Sequence, residues 1–150
     1  MPVPNRVHRR MLATFFLAIL PVLAACNDDP AEPGEELPAA MRLTVGSQIV
    51  TVDDAGNVTG GPITIPVGTT SITAVFLDAD LQPADFVSAT EFELRVTPAS
   101  TAIVTFARAS AFAGSLTGVS TGSTTIEFAL FHLEEQHDDF GPFNVPLTVQ

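Results

Sequence analysis

From residue 41 onward, hydrophobic and polar residues alternate along the chain with a period of two. In Glu91-Phe92-Glu93-Leu94-Arg95-Val96, the apolar Phe92, Leu94 and Val96 fall on one side and the three charges on the other. Successive side chains of an extended backbone point to opposite faces, so this pattern predicts a strand with one buried face. The same reading holds for Phe143, Val145, Leu147 and Val149, for Ile126, Phe128 and Leu130, and for Ile72, Ala74 and Phe76. Asp53-Asp54-Ala55-Gly56-Asn57 is a turn signal between a strand at 48–52 and another near Val58. Pro146 lacks an amide hydrogen, so its place in a strand pattern predicts an amide facing away from the ladder, as on an edge. No window sustains a helical period. About 7–9 short strands, with turn residues roughly every 8–12 positions, predict an all-β, antiparallel sandwich in one domain at 41–150.

The first forty residues break that pattern. Arg6, Arg9 and Arg10 make a basic start, residues 11–20 are apolar, and Pro21 ends the run just before Leu23-Ala24-Ala25-Cys26. This is the layout of a secretory signal. A spanning helix needs about 20 apolar residues, more than this run supplies. Leu23-Ala24-Ala25-Cys26 resembles the processing site of bacterial lipoproteins, and Cys26 is the only cysteine in the chain. The resemblance implies that residues 1–25 are a signal peptide and that Cys26 carries the lipid, a palmitate-type acyl anchor. It also implies a location in the bacterial cell envelope, attached to a membrane and facing the periplasm or the cell surface. Residues 27–40 (NDDPAEPGEELPAA) are rich in Pro and acids and hold no core-forming run, which predicts a disordered tether. At about 3 Å per residue, such a tether reaches on the order of 40 Å.

Loss of the leader sharpens the charge. All seventeen acids lie after Cys26 and there is no lysine, so Arg42, Arg95 and Arg108 against those acids leave −14. A surface this acidic repels nucleic acid, which excludes it as a partner, and attracts cations.

Within the strand-rich segment, Gly114-Ser-Leu-Thr-Gly-Val-Ser-Thr-Gly-Ser-Thr-Thr-Ile126 resembles the signature of bacterial immunoglobulin-like domains of the second group. An apolar strand at 92–96, Pro98, and Ala102-Ile103-Val104-Thr105-Phe106 are arranged similarly upstream. The resemblance implies an immunoglobulin-like sandwich in which Gly118 and Gly122 bracket a tight connection and Ile126 begins the next core strand. The family usually carries a Trp before the Pro turn. This chain has none, so Phe92 and Leu94 are expected to fill that volume. Members of the family act as spacers or binding modules, which implies contacts with envelope proteins or glycans, without catalysis.

One segment carries metal-ligating chemistry. Phe131-His132-Leu133-Glu134-Glu135-Gln136-His137-Asp138-Asp139-Phe140 holds two of the three histidines together with four acids, between two predicted strands. It is expected to be a hairpin loop at one end of the sandwich. Imidazole with carboxylate suits zinc, copper or nickel, and carboxylate alone suits calcium. The candidate ligands are His132, Glu134, Glu135, His137 and Asp138. Their spacing matches no established metal loop, and His132 shares parity with Ile126, Phe128 and Leu130, so it is equally placed to cap the core. Asp78-Ala79-Asp80 and Asp53-Asp54 read as ordinary turn chemistry. With no second cysteine, no lysine and no G-x-S-x-G elbow, the chain is not expected to be an enzyme. Two readings stand: a lipid-anchored immunoglobulin-like binding or structural module, and an envelope metal-binding protein using the loop from His132 to Asp139. The only cofactors expected are the covalent lipid on Cys26 and, on the second reading, a divalent metal.

Overall fold

The computed structural model describes residues 36–150. The expected signal peptide, Cys26 and the first part of the tether lie outside the described residues. Ten strands follow in order: β1 (Ala40–Val45), β2 (Gln48–Asp53), β3 (Val58–Thr59), β4 (Ile63–Ile65), β5 (Gly68–Leu77), β6 (Phe92–Pro98), β7 (Val104–Ser110), β8 (Ala113–Gly118), β9 (Gly122–His132) and β10 (His137–Val149). They form a six-stranded sheet, β3-β2-β1-β5-β8-β7, and a four-stranded sheet, β4-β10-β9-β6. The fold is all-β, as the alternation predicts. The strand expected near Val58 is β3, and the count exceeds the expected seven to nine because short elements such as the three-residue β4 do not register as alternation. The β4–β10 pair is parallel, a departure from the purely antiparallel expectation.

The strands stack because their inward residues have one place to go. Met41, Leu43, Val50, Val52 and Ile72 from the larger sheet meet Leu94, Ile126, Phe128, Leu130, Val145 and Leu147 from the smaller one in a single core. Among the described residues, no polar or charged residue is fully buried. Phe92 and Leu94 are buried at the position expected to compensate for a missing Trp, and Phe128 is the largest fully buried side chain. Ala40, assigned to the tether by composition, is instead the first residue of β1 and is paired on both sides, to Asp53 and to Leu77.

Two sequence signals acquire a physical cause. The connection between Gly118 and Gly122 is tight, and it carries the chain from one sheet to the other. A Cβ at Gly118 would lie 2.5 Å from the Pro66 carbonyl oxygen, and Gly122 has φ +151°. Only glycine satisfies both. Pro146 lies opposite Thr125, whose carbonyl accepts from the Ala99 amide at 3.0 Å on the other side. Thr125 therefore turns its polar groups toward β6, and Pro146 occupies a pair that needs no hydrogen bond across it. On its outer side, β4 covers β10 only from Leu147 onward, so the Pro146 amide position faces an edge.

The two ends of the sandwich differ in charge. The connections at one end, residues 46–47, 66–67, 99–103 and 119–121, contain no charged residue. At the other end, residues 54–57, 78–91 and 133–136 hold Asp54, Asp78, Asp80, Asp85, Glu91, Glu134 and Glu135. The chain enters at this acidic end. Met41 pairs with Phe76, the Phe76 ring meets that of Phe140 at 5.9 Å, and Phe140 pairs with Leu130 near the tip of β9.

Candidate functional site

The segment from His132 to Asp139 is less of a loop than its polarity suggests. β9 and β10 continue their ladder to the tip, where His132 and His137 face each other directly, and only residues 133–136 turn. The turn is closed by the Gln136 amide donating to the His132 carbonyl at 2.9 Å, with Gln136 at φ +62°. The Leu133 amide donates to the Glu91 carbonyl at 2.7 Å, tying the tip to the entrance of β6. Five-residue spacing would oppose the histidines on a straight strand. The four-residue turn instead makes them cross-strand partners, with ring centroids 5.8 Å apart.

Period two then selects which acids join them. Asp138 shares the opposite face of β10, where it pairs with Arg95 at 3.2 Å, and the Arg95 guanidinium lies 3.5 Å from the centroid of the Phe131 ring. Glu134 projects from the turn into solvent. These two expected ligands are therefore not part of the cluster. Asp139 takes their place. It is the extra residue of a bulge between Asp138 and Phe140, and it turns inward on the histidine side. Alternation from His137 already places Asp139 on this face, and the bulge lets Phe140, the next residue, turn into the core as well. Its parity with His137 was visible in the sequence, but the cross-strand pairing that sets that face against His132 was not.

Four side chains converge. His132 Nδ1 is 3.5 Å from Glu135 Oε2 and 3.5 Å from Asp139 Oδ2. His137 Nε2 is 3.5 Å from Glu135 Oε2 and 2.5 Å from Asp139 Oδ1. Apart from this short contact with His137, Asp139 Oδ1 is buried without a hydrogen-bond partner, as is His132 Nδ1. The Asp139 side chain is only 4% exposed. Burial pushes its carboxyl above the ordinary value of 3.8, and His137 and His132 only partly pull it back. His132 is itself fixed by stacking on Phe92, ring centroids 4.6 Å apart. It therefore does cap the core, as its parity suggested, while turning Nδ1 toward the acids.

The remaining acids at this end serve the backbone. Asp78 Oδ1 accepts from the amides of Asp80 and Gln82, each at 2.9 Å. Asp53 Oδ1 accepts from the amides of Ala55 and Asn57, and its Oδ2 accepts from Asn57 Nδ2 at 2.8 Å. Both are turn-forming carboxylates, as expected. Asp78 and Asp80 also line, with Glu36, Leu37, Asp85 and Phe86, an open depression of about 400 Å³.

No family model matches the chain, and no curated protein does. Among solved structures, the chain is similar to the crystal structure of domains 4 and 5 of the S-layer protein SbsC. The identity is 14% and the TM-score 0.40, over 75% of this chain and 65% of that one. The chain thus spans just under two thirds of the length of the structure it matches. An overlap this loose carries no argument about the site or its use.

Proposed function

We propose that this chain is a lipid-anchored protein of the bacterial cell envelope whose β-sandwich is a binding or structural module rather than an enzyme. The observation that carries this reading is Cys26, the sole cysteine, placed directly after Leu23-Ala24-Ala25 and before an acidic, Pro-rich spacer. The resemblance of the Gly114–Ile126 motif to immunoglobulin-like domains of the second group supports the same role, with envelope proteins or glycans as partners. The fold supports it mechanically. The spacer leads into β1, which lies between β2 and β5. Tension at Ala40 therefore acts on a strand held along both edges, which resists peeling better than an edge strand would.

Expression in bacteria supplied with radiolabelled palmitate tests the anchor. The wild-type chain is expected to take up label and to sediment with membranes, whereas Cys26→Ser is expected to do neither. Label retained by Cys26→Ser would show that the anchor lies elsewhere.

A further inference from the structure

We propose that His132, Glu135, His137 and Asp139 form a binding site for one divalent metal ion of the zinc class. This assignment goes beyond the anchored-module reading and does not depend on it.

The argument begins with an unmet need. Asp139 Oδ1 and His132 Nδ1 are both buried in this cluster, and neither makes a well-formed hydrogen bond: Oδ1 has only its short contact with His137 Nε2, and Nδ1 lies 3.5 Å from the nearest carboxylate oxygens. Buried polar atoms are nearly always satisfied, because leaving one unpaired costs about 1–3 kcal/mol. Asp139 is the sharper case, since its side chain is 96% removed from solvent and its Oδ1 points into the cluster. A cation at the centre would satisfy both atoms at once.

The spacing fits a small cation. Zinc binds nitrogen and oxygen donors at roughly 2.05 Å, and tetrahedral geometry then sets those donors about 3.3 Å apart. Three of the four nitrogen–oxygen separations are 3.5 Å, two to Glu135 Oε2 and one to Asp139 Oδ2. The fourth, His137 to Asp139 Oδ1 at 2.5 Å, must open, and the half-exposed His137 side chain has solvent on one side to turn into. The donor set is two imidazoles and two carboxylates, which suits zinc and its neighbours. Calcium requires six to eight oxygens, and two carboxylates alone do not provide them. His132, Glu135 and His137 offer donor atoms all within 4.8 Å of one another.

The surroundings hold the donors in place. Phe92 packs on His132, the β9–β10 ladder sets His137 and Asp139 on the face of His132, and the Arg95–Asp138 pair secures the opposite face of β10. Glu135 sits on the four-residue turn and closes the site from the solvent side. The acidic end of the sandwich raises the local concentration of cations around it.

The test is a calorimetric zinc titration of the full chain carrying Cys26→Ser, in detergent and stripped with chelator. That substitution removes the one thiol able to hold zinc by itself, and it makes the result independent of lipidation. One zinc per chain is expected. Asp139→Asn and His132→Ala are each expected to weaken binding by about tenfold or more, and Glu134→Gln by less than about twofold. Circular dichroism verifies that each variant keeps its strands. X-ray absorption at the zinc edge of the zinc-loaded chain with native ligands guards against a variant that fails to fold; two imidazoles and no sulfur are expected in the first shell. Absence of saturable binding, a shell with fewer than two imidazoles, or folded Asp139→Asn and His132→Ala chains with unchanged affinity would each overturn the assignment.

Discussion

Asp53 illustrates how one side chain can carry a pH dependence. Its hydrogen bonds to the side chain and amide of Asn57 hold its carboxyl below the ordinary 3.8. A carboxyl with a lowered folded value stabilises the fold above 3.8, and that contribution disappears as pH falls through the folded value. Asp53→Ala is therefore expected to lower the melting temperature at pH 7 and to have little effect near pH 2, in paired thermal scans. Asp139 has the opposite sign. Its folded value is raised, so the unbound site becomes less favourable as pH climbs through that value. Without metal, Asp139→Asn is expected to be at least as stable as the wild type at pH 7. A clear loss of stability there would contradict the burial argument. In the core, Phe128→Ala should cost about 3–5 kcal/mol, read from denaturant titration, because nothing nearby can collapse into the space of a fully buried ring. Gly118→Ala forces a methyl against the Pro66 carbonyl and should cost roughly 1–3 kcal/mol in the same assay.

At the level of elements, the β9–β10 hairpin is the unit that matters. Its ladder is interrupted between Asp138 and Phe140 and again between Phe140 and Phe143, where Gly141 and Pro142 lie. On the face away from the histidines, Arg95 of β6 reaches across Phe131 of β9 to Asp138 of β10 and spans three strands. The pair is partly exposed, so its attraction is screened. Arg95→Met is expected to cost only about 1 kcal/mol. Its effect should be concentrated: amide exchange should quicken at 131–138 and remain unchanged in β1 and β5. Uniform quickening would mean that Arg95 supports the whole domain instead of the hairpin. The strands themselves were legible from alternation, since β6, β9, β10 and much of β5 were readable from Phe92, Ile126, Phe143 and Ile72 onward. β3 was marked only by the turn signal at Asp53–Asn57, and β4 by nothing, because two or three residues carry no period.

At the level of the whole molecule, the chain after Cys26 carries a charge of −14, and the acids of the described residues crowd toward one end, which opposes compactness through self-repulsion. Raising sodium chloride from low to about 0.5 M shortens the screening length to roughly 4 Å and should raise the melting temperature. Zinc should do more at far lower concentration: at about a hundred times its dissociation constant, one bound ion contributes about 2.7 kcal/mol. Sequence alone determined the fold class, because an inward residue at every second position leaves two stacked sheets as the way to bury it. It also determined the acidity, the leader-like start and the turn carboxylates Asp53 and Asp78, all of which depend on neighbours in the chain. Which acids meet the histidines depended on tertiary structure. Alternation along β10 places Asp139 on the face of His137 and Asp138 on the other, but only the pairing of β10 with β9, and of β9 with β6, sets one face against His132 and the other against Arg95. The same holds for the end at which the cluster lies. Strand order across the sheets, invisible in a linear pattern, brings the tip of β9 to the end where β1 begins.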